Sequence, residues 1–326
     1  MEEMISVVVV TYNQEKTIAR ALDSILCQKC HQPVEIVVGE DCSTDNTPAI
    51  CQDYAARYPQ IRLYCNTHNK GIINNYYDCL LACRGEFIAD CAGDDFWVDD
   101  QKLEKAVCLM EADPAITLVH TAWRSYNERT GIATDTMPQP FPEPVTEGKD
   151  MLEAILTQTR MPVIQLCSSL YRASTILEAY HADTSLFRDP EMGCEDLQIA
   201  FFLAMKGKIA YLPDVTLHYS QGEETVSSSH DERKQFRFDR RVTMLSHELS
   251  ERYQIKGPAV TRFFSQRAFT LLMHAFRAHD AALRHEALAC CELWGARPTP
   301  AFTVVKAVTS HDVLWRLALR LREKLR

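Results

Sequence analysis

Phe87-Ile88-Ala89-Asp90-Cys91-Ala92-Gly93-Asp94-Asp95-Phe96-Trp97 is the stretch that decides the fold class. A short apolar run breaks into acids and a glycine, then closes on two aromatic residues. The same design stands twice upstream, in Val7-Val8-Val9-Val10-Thr11-Tyr12-Asn13-Gln14-Glu15 and in Val37-Val38-Gly39-Glu40-Asp41-Cys42-Ser43-Thr44-Asp45. Apolar runs of this length predict strands buried on both faces, as in a parallel sheet. Ligands of open α/β sheets bind at the carboxyl ends of strands, so these acids are expected to converge on one crevice. In this reading Asp41 lies one strand over from Asp94 and Asp95.

Outward from these strands, helical periodicity fills the gaps. Ile18, Ala21, Leu22, Ile25 and Leu26 share one face of a first helix. Thr47 is expected to cap a second helix, with Pro48 pre-set for its first turn. A short strand over 61–64, a helix over 72–82 and a helix over 101–110 follow; Leu103, Val107 and Met110 face inward in the last. Asp99 and Asp100 read as N-cap residues for that helix. Strands alternating with helices in this way predict parallel βαβ units. Prolines 138, 140, 142 and 144 predict a loop over 129–148. Further mixed elements include 165–171, a helix over 196–205 and strands over 208–212 and 215–219. Beyond residue 231 the pattern is wholly helical. The expected organisation is an α/β domain over 1–230 and an all-helical extension over 231–326.

Composition narrows the classes. Of 326 residues, 46% are apolar and 24% charged, which is ordinary for a folded protein. The net charge of −9 divides into −19 over residues 1–232 and +10 over 233–326. The acidic part suits a divalent cation and the basic tail an anionic surface, although solvated faces have the same composition. An apolar run of about 18 residues is missing, so no transmembrane helix is expected. Met1-Glu2-Glu3 is not the start of a secretory leader, and the thirteen cysteines read as reduced thiols in the cytoplasm. The turn after the first strand has no G-x-G-x-x-G, no Walker pattern and no Gly/Arg/Lys-rich loop. These absences argue against a dehydrogenase, a P-loop enzyme and a nucleotidyltransferase. No nucleic-acid partner is expected. Cys27-Gln28-Lys29-Cys30-His31 forms a C-x-x-C-H string. That pattern serves covalent haem attachment in exported proteins, which is not expected here, and without further ligands at matching spacing a zinc site is not assigned. The string reads as the connector from helix one to strand two.

Several carboxylates at strand ends suit Mg²⁺ or Mn²⁺ bound to a phosphate ligand. Asp94 and Asp95, beside Gly93, are the natural candidates, and Asp41 is placed to hydrogen-bond a base or ribose. Taken together, Thr11-Tyr12-Asn13-Gln14-Glu15, residues 39–47 and residues 89–97 resemble family 2 glycosyltransferases of the GT-A fold. Asn69-Lys70-Gly71, Gly85-Glu86-Phe87-Ile88-Ala89 and Lys102-Leu103-Glu104-Lys105 extend the resemblance. Glu195-Asp196-Leu197 and Gly207-Lys208-Ile209-Ala210-Tyr211-Leu212 fall where that family places its acid motif and a late strand. The match covers residues 4–230.

The resemblance implies transfer of a sugar from a nucleoside-diphosphate sugar, UDP-linked by preference, to an acceptor hydroxyl with inversion. A saccharide or lipid-linked saccharide would be the acceptor, in envelope, capsular or lipid-linked polysaccharide synthesis. It further implies that Thr11, Tyr12, Asn13 and Glu15 line the nucleotide pocket, with Glu40 and Asp41 toward the base. Asp94 would hold the Mn²⁺ or Mg²⁺ on the diphosphate with Asp95 beside it. Asp196 would be the general base, with Glu195 nearby. Two departures stand out. Ala92 occupies the place of the acid usually found two residues before the metal-binding Asp. Ser220 and Gly222 stand where a basic residue and a His usually follow the last strand, leaving His218 or His230 as substitutes. A nucleotide-sugar-binding scaffold with weak or lost turnover is the alternative function. At the C-terminus Val313, Leu314, Leu317, Ala318, Leu321 and Leu325 share one face opposite Arg316, Arg320, Glu323 and Lys324, with Trp315 at the side. Such a helix fits peripheral contact with the inner face of a membrane. Arg233, Lys234, Arg237, Arg240 and Arg241 form an earlier basic cluster, read as a solvated face.

Overall fold

The computed structural model describes residues 2–135, 144–158, 164–189, 191, 195–222 and 231–324. Contacts divide the chain into two units, one of Met1–Pro190 with Glu195–Gly222 and one of Glu191–Cys194 with Glu223–Arg326.

In the first unit, β1 (Glu2–Thr11), α1 (Ile18–Leu26), β2 (Val34–Glu40), α2 (Thr47–Arg57), β3 (Ile61–Cys65), α3 (Ile72–Ala82) and β4 (Gly85–Asp90) alternate as the sequence predicts. There follow β5 (Phe96–Trp97), α4 (Lys102–Ala112), β6 (Ile116–Asn127), β7 (Ile132–Asp135), β8 (Val145–Glu147) and α5 (Gly148–Thr157). A 3₁₀ turn (Leu166–Ser168), β9 (Leu170–Arg172), α6 (Ala173–Ala182), α7 (Thr184–Arg188), α8 (Glu195–Lys206) and β10 (Lys208–Gln221) complete the unit. Among the described residues these strands make one ten-stranded sheet with the main order β3-β2-β1-β4-β9-β6-β10-β5, with β7 paired to β6 and β8 to β10. The pairs β3-β2, β2-β1, β1-β4 and β6-β10 are parallel. β9 runs antiparallel to both β4 and β6, so the two parallel blocks point the same way. The expected mostly parallel sheet flanked by helices is therefore present.

Burial explains the run of valines. Val7 and Val9, Ile36 and Val38, and Phe87 and Ala89 pack on the same core as Ile18, Leu22 and Ile25 of α1 and Leu103, Val107 and Met110 of α4. Val8, Val37 and Ile88, which alternate with them, are buried as well. Both faces are covered, as period-free apolar strands require. On β2 the cover is close. A Cβ on Gly39 would lie 2.4 Å from Cys79 Sγ and 2.6 Å from Asn75 Oδ1 of α3.

Several expectations are corrected. β1 lies between β2 and β4, so Asp41 is two strands from Asp94, not one. Thr47 does not cap α2: its hydroxyl accepts the Gln14 N–H at 2.8 Å, and Asn46 is the N-cap residue. Asp99 accepts the Gln101 N–H at 2.9 Å, one residue before α4, while Asp100 pairs with Lys29. The long β6 was not read from the sequence. Part of the loop expected over 129–148 is strand, since β7 pairs with β6 and β8 with β10; prolines 138, 140 and 142 lie outside the described residues. Segments 208–212 and 215–219 form one strand, because the ladder to β6 resumes after a register shift between Leu212 and Val215. Pro213 cannot donate to a ladder, and the shift absorbs it.

The second unit contains α9 (Glu232–Arg252), α10 (Pro258–Ala278), α11 (Ala281–Leu293), α12 (Pro300–Val308) and α13 (Asp312–Lys324). Phe236, Phe263, Phe264, Leu271, Leu272, Trp294 and Phe302 form its core. Within it, His274 is buried between Glu232 at 2.6 Å and Asp239 at 3.0 Å. In the basic cluster Arg233 pairs with Asp280 and Arg240 with Glu191 and Glu286. Trp315 is not at the side of a free helix: it is buried, and its indole N–H donates to the Phe276 carbonyl at 2.9 Å. That anchor leaves Val313, Leu314, Leu317 and Leu321 exposed. Leu325 and the side chain of Glu323 lie outside the described residues. Among the described residues no helix is long and apolar enough to cross a membrane.

Candidate active site

Two constructions stand at the carboxyl edge of the parallel strands. Over β1 and β2 the two connecting loops are laced together. The Asn13 N–H donates to Ser43 Oγ at 2.9 Å, and Asn13 Oδ1 accepts the Thr44 N–H at 2.8 Å. The Glu15 N–H donates to Asp45 Oδ2 at 3.1 Å, and Glu15 Oε2 accepts the Asn46 N–H at 2.9 Å. Asn13 and Cys42 both have positive φ, of 53° and 60°; Asn is among the few side chains that tolerate that region well. Glu40 is buried, and its Oε1 accepts the Ser43 N–H at 2.8 Å. Asp41 accepts from Asn66 Nδ2 and from the backbone N–H groups of Lys70 and Gly71, at 2.8–2.9 Å. Tyr12, by contrast, stands exposed beside this lacing.

Over β4 and α8 the picture reverses. Asp94 is half-buried on the turn after β4, and Asp95 is 1% exposed. Asp95 Oδ1 accepts the Ser220 N–H at 2.9 Å, while Asp95 Oδ2 is buried without a hydrogen-bond partner. Burial, then the neighbouring Asp94 carboxylate, hold Asp95 well above the usual carboxylate range. Burial raises Asp196 likewise, and the charges of Glu195, Asp90 and Asp95 add to it. Asp90 is pushed up to about 7, chiefly by burial; its Oδ1 accepts from Tyr76 Oη at 2.8 Å and its Oδ2 has no partner. Glu195 and Asp196 begin α8, where the positive end of the helix partly offsets their charge. Sequence-distant acids of β4 and α8 thus act on one another. Asp41 belongs to the same sheet edge but to the first construction.

A divalent cation is tested by these groups. Hard carboxylate oxygens, raised carboxyls and buried acceptors without donors are what Mg²⁺ or Mn²⁺ would relieve. Among the described residues the acids here do not close up into a three-ligand cage, the one such group lying elsewhere. That fits a cation taking one or two protein carboxylates and completing its shell with phosphate oxygens and water. Asp94, the more accessible of the pair, is the better-placed ligand. Its loop is shaped by contact: a Cβ on Gly93 would lie 2.4 Å from Gln14 Oε1 and 2.8 Å from Thr11 Oγ1.

Four further groups belong to this site and were missed from sequence. Arg20 of α1 donates to the Asp94 carbonyl at 3.2 Å and to Ser220 Oγ at 3.3 Å, pairs with Glu128 and lies 4.0 Å over the Phe96 ring. Cys167 Sγ accepts the Ala92 N–H at 3.3 Å, and its carbonyl accepts the Trp97 indole N–H at 2.9 Å. Lys102 is buried, 4.2 Å over Trp97, and lowered to about 8 by desolvation. Asp90 is the fourth. Asp90 and Lys102 sit inside quoted motifs without having been assigned to the site; Arg20 and Cys167 arrive from elements remote in sequence. His218 stacks on Tyr126 and meets Phe96 edge-on, and His230 lies outside the described residues.

The profile of Glycosyl transferase family 2 matches residues 6–176, just over half of the chain. An uncharacterized protein of Mycobacterium tuberculosis is 32% identical over 238 residues, which cover 71% of this chain and 63% of that relative. The chain therefore spans less than two thirds of the length of that relative. S. aureus TarS 1–349, in complex with UDP-GlcNAc, matches with a TM-score of 0.52 over 90% of this chain and 92% of its own, at 17% identity. The mannosyltransferase PcManGT from Pyrobaculum calidifontis, in complex with GDP-Man and Mn²⁺, matches with a TM-score of 0.51 over 98% of this chain and 87% of its own, at 18% identity. At such identities the likeness is one of fold, and the fold is GT-A. Matched by that profile over more than half of its length, the chain belongs to glycosyl transferase family 2.

Proposed function

We propose that the chain is an inverting, metal-dependent glycosyltransferase that moves a sugar from a nucleoside diphosphate, UDP first among the candidates, to an acceptor hydroxyl. The observation that carries this reading is the gathering of acids around Asp196, which feels the charges of Glu195, Asp90 and Asp95, while Asp95 feels that of Asp94. Asp196 takes the proton of the acceptor hydroxyl as its oxygen attacks the anomeric carbon. The bond from that carbon to the diphosphate oxygen breaks on the opposite side, and the nucleoside diphosphate leaves with the electron pair. Glu195 keeps Asp196 a stronger base, and Asp95, tied to Ser220, fixes the turn that presents Asp94. A cation held by Asp94 with the diphosphate would neutralise the charge developing on the leaving group. Thr11, Tyr12, Asn13, Glu15, Glu40 and Asp41 shape the floor for the nucleotide. Residues 1–230 are the catalytic domain in this reading, and 231–326 the helical extension.

The acceptor we propose is a saccharide, lipid-linked or growing, used in envelope or capsular polysaccharide synthesis at the cytoplasmic face of a membrane. The support is α13, where Val313 and Leu321 are 70% and 62% exposed beside Arg316, Arg320, Arg322 and Lys324. Apolar side chains flanked by cations suit an anionic lipid surface. Removing residues 311–326 is expected to abolish salt-sensitive binding to phosphatidylserine vesicles; unchanged binding contradicts this role.

Ala92 favours a second reading, a nucleotide-sugar-binding scaffold without turnover. Release of UDP from a panel of UDP-sugars with Mn²⁺ and no acceptor separates the two. Slow metal-dependent hydrolysis supports the enzyme, whereas tight binding without any hydrolysis or transfer supports the scaffold.

A further inference from the structure

The connector Cys27-Gln28-Lys29-Cys30-His31 leads into the amino end of β2, at the opposite edge of the sheet from Asp94 and Asp196. It is pinned to the start of α4. Gln28 Nε2 donates to the Asp99 carbonyl at 2.7 Å, Gln28 Oε1 accepts the Leu103 N–H at 3.1 Å, and the Lys29 N–H donates to the Asp100 carbonyl at 2.7 Å. This docking brings ligand-type atoms together. Cys30 Sγ, a ring nitrogen of His31 and a carboxylate oxygen of Glu104 all lie within 4.8 Å of one another. His31 Nδ1 is 2.8 Å from Glu104 Oε2, and Cys108, one turn along α4 from Glu104, points its Sγ to within 3.7 Å of Glu104 Oε1. Three ligand-type side chains, Cys30, His31 and Cys108, therefore gather around the Glu104 carboxylate.

We infer that Cys30, His31, Glu104 and Cys108 form a binding site for a thiophilic divalent cation, Zn²⁺ being the ion of that chemistry. Two thiolates, an imidazole and a carboxylate make a donor set that four-coordinate zinc accepts, with metal–ligand bonds of about 2.0–2.3 Å. The Cys30, His31 and Glu104 ligand atoms already lie within 4.8 Å of one another and Cys108 Sγ is 3.7 Å from Glu104 Oε1, so side-chain rotation would bring the set to that spacing. The outer groups match as well. His31 Nε2 is 3.1 Å from Glu111 Oε1, which in turn accepts from Gln32 Nε2 at 2.6 Å. A metal-bound imidazole characteristically gives its second N–H to such a carboxylate. Binding displaces the thiol protons of Cys30 and Cys108 and any proton on the His31 nitrogen that turns to the metal. The ion would clasp the α1–β2 connector to α4, a role in stability and not in sugar transfer. The pattern departs from the sequence string in one informative way: the second thiol is Cys108, not Cys27.

The test uses the full chain, stripped with chelator and titrated with Zn²⁺, and with Co²⁺ as a chromophoric probe. One equivalent of tightly held metal, a thiolate-to-cobalt charge-transfer band and a raised unfolding temperature are expected. Cys30→Ser and Cys108→Ser should each lose the tight equivalent and most of the band, Glu111→Gln should weaken affinity about 10-fold or more, and Cys27→Ser should match the parent. Absence of the thiolate–cobalt band in the parent overturns the site. So does a titration unchanged in both Cys30→Ser and Cys108→Ser. Loss in Cys27→Ser with retention in Cys108→Ser overturns it in favour of a site on the C-x-x-C pair. Donor turnover, read separately, should not change with Zn²⁺ loading, so this result stands apart from that for the catalytic edge.

Discussion

Two regions share the carboxyl edge of one sheet and are finished in opposite ways. Over β1 and β2 the loop side chains Asn13, Glu15, Glu40 and Asp45 each satisfy a backbone N–H of the neighbouring loop or their own turn. Over β4 and α8 the carboxylates of Asp90, Asp95 and Asp196 are raised, and two of their buried oxygens lack donors. In the first region the loop carboxylates and Asn13 are paired, and its buried acceptors without a donor, Thr11 Oγ1 and Gln14 Oε1, lie against Gly93 at the border with the second. The second is electrostatically incomplete, because like-charged groups are gathered where water is scarce. The contrast lies in the carboxylates: the half in which they are paired positions, and the half in which they are left unsatisfied reacts.

The largest effects should therefore come from the unsatisfied half. Asp94→Asn is expected to lower metal-supported donor turnover by more than about 100-fold, an effect of several kcal/mol on the barrier. Steady-state assays across Mn²⁺ concentrations would read it, and recovery at high Mn²⁺ would sharpen the assignment to metal binding. Asp196→Asn should cost about 10²- to 10⁴-fold in transfer while donor affinity stays within a few-fold. Near-normal transfer in that variant would remove Asp196 from the role of base.

Intermediate effects belong to the laced half. Asn13→Ala takes away the acceptor for the Thr44 N–H and puts a less tolerant residue at φ 53°. A loss of about 1–2 kcal/mol in urea unfolding is expected, with only a modest change in turnover number. If the same change abolished turnover while leaving stability intact, the two halves would not be distinct.

An effect on stability alone concerns pH. His120 of β6 is fully buried, and burial pushes its imidazole down to about 3 from an ordinary value near 6.5. A depressed base contributes stability that is complete above the unfolded-state value and is lost as pH falls from about 6.5 toward 3. Asp90, raised to about 7, works the other way, contributing stability at acid pH that fades as pH climbs from about 4 to 7. In the parent the two slopes oppose each other. Acidification from pH 7 to 5 should therefore favour His120→Asn relative to the parent, by up to about 1.4 kcal/mol per pH unit in thermal or urea unfolding.

Much of this was legible in the sequence because it is local. Each of β1, β2 and β4 ends where its apolar run meets acids, so the sheet edge and the candidates Asp94 and Asp95 could be read off single segments. The helix carrying Glu195 and Asp196 was equally clear. Arg20, Glu128, Ser220 and Cys167 were not, since each meets the Asp94–Asp95 turn only through tertiary packing. The strand order shows the same limit: three similar strands announce a parallel sheet without saying that the first lies in the middle. Thr47 has the look of a cap, yet the lacing of the two loops claims its hydroxyl for Gln14. The Cys30–His31 string lacked partners in sequence because Glu104 and Cys108 arrive from a helix some seventy residues later.

The most direct test of the central claim is calorimetric titration of UDP into the parent, Asp94→Asn and Asp196→Asn proteins, each with Mn²⁺ and with chelator. Mn²⁺ should tighten UDP binding at least 10-fold in the parent and in Asp196→Asn, and have no effect in Asp94→Asn. UDP affinity that is indifferent to Mn²⁺ in the parent, or equally Mn²⁺-dependent in Asp94→Asn, would contradict that claim.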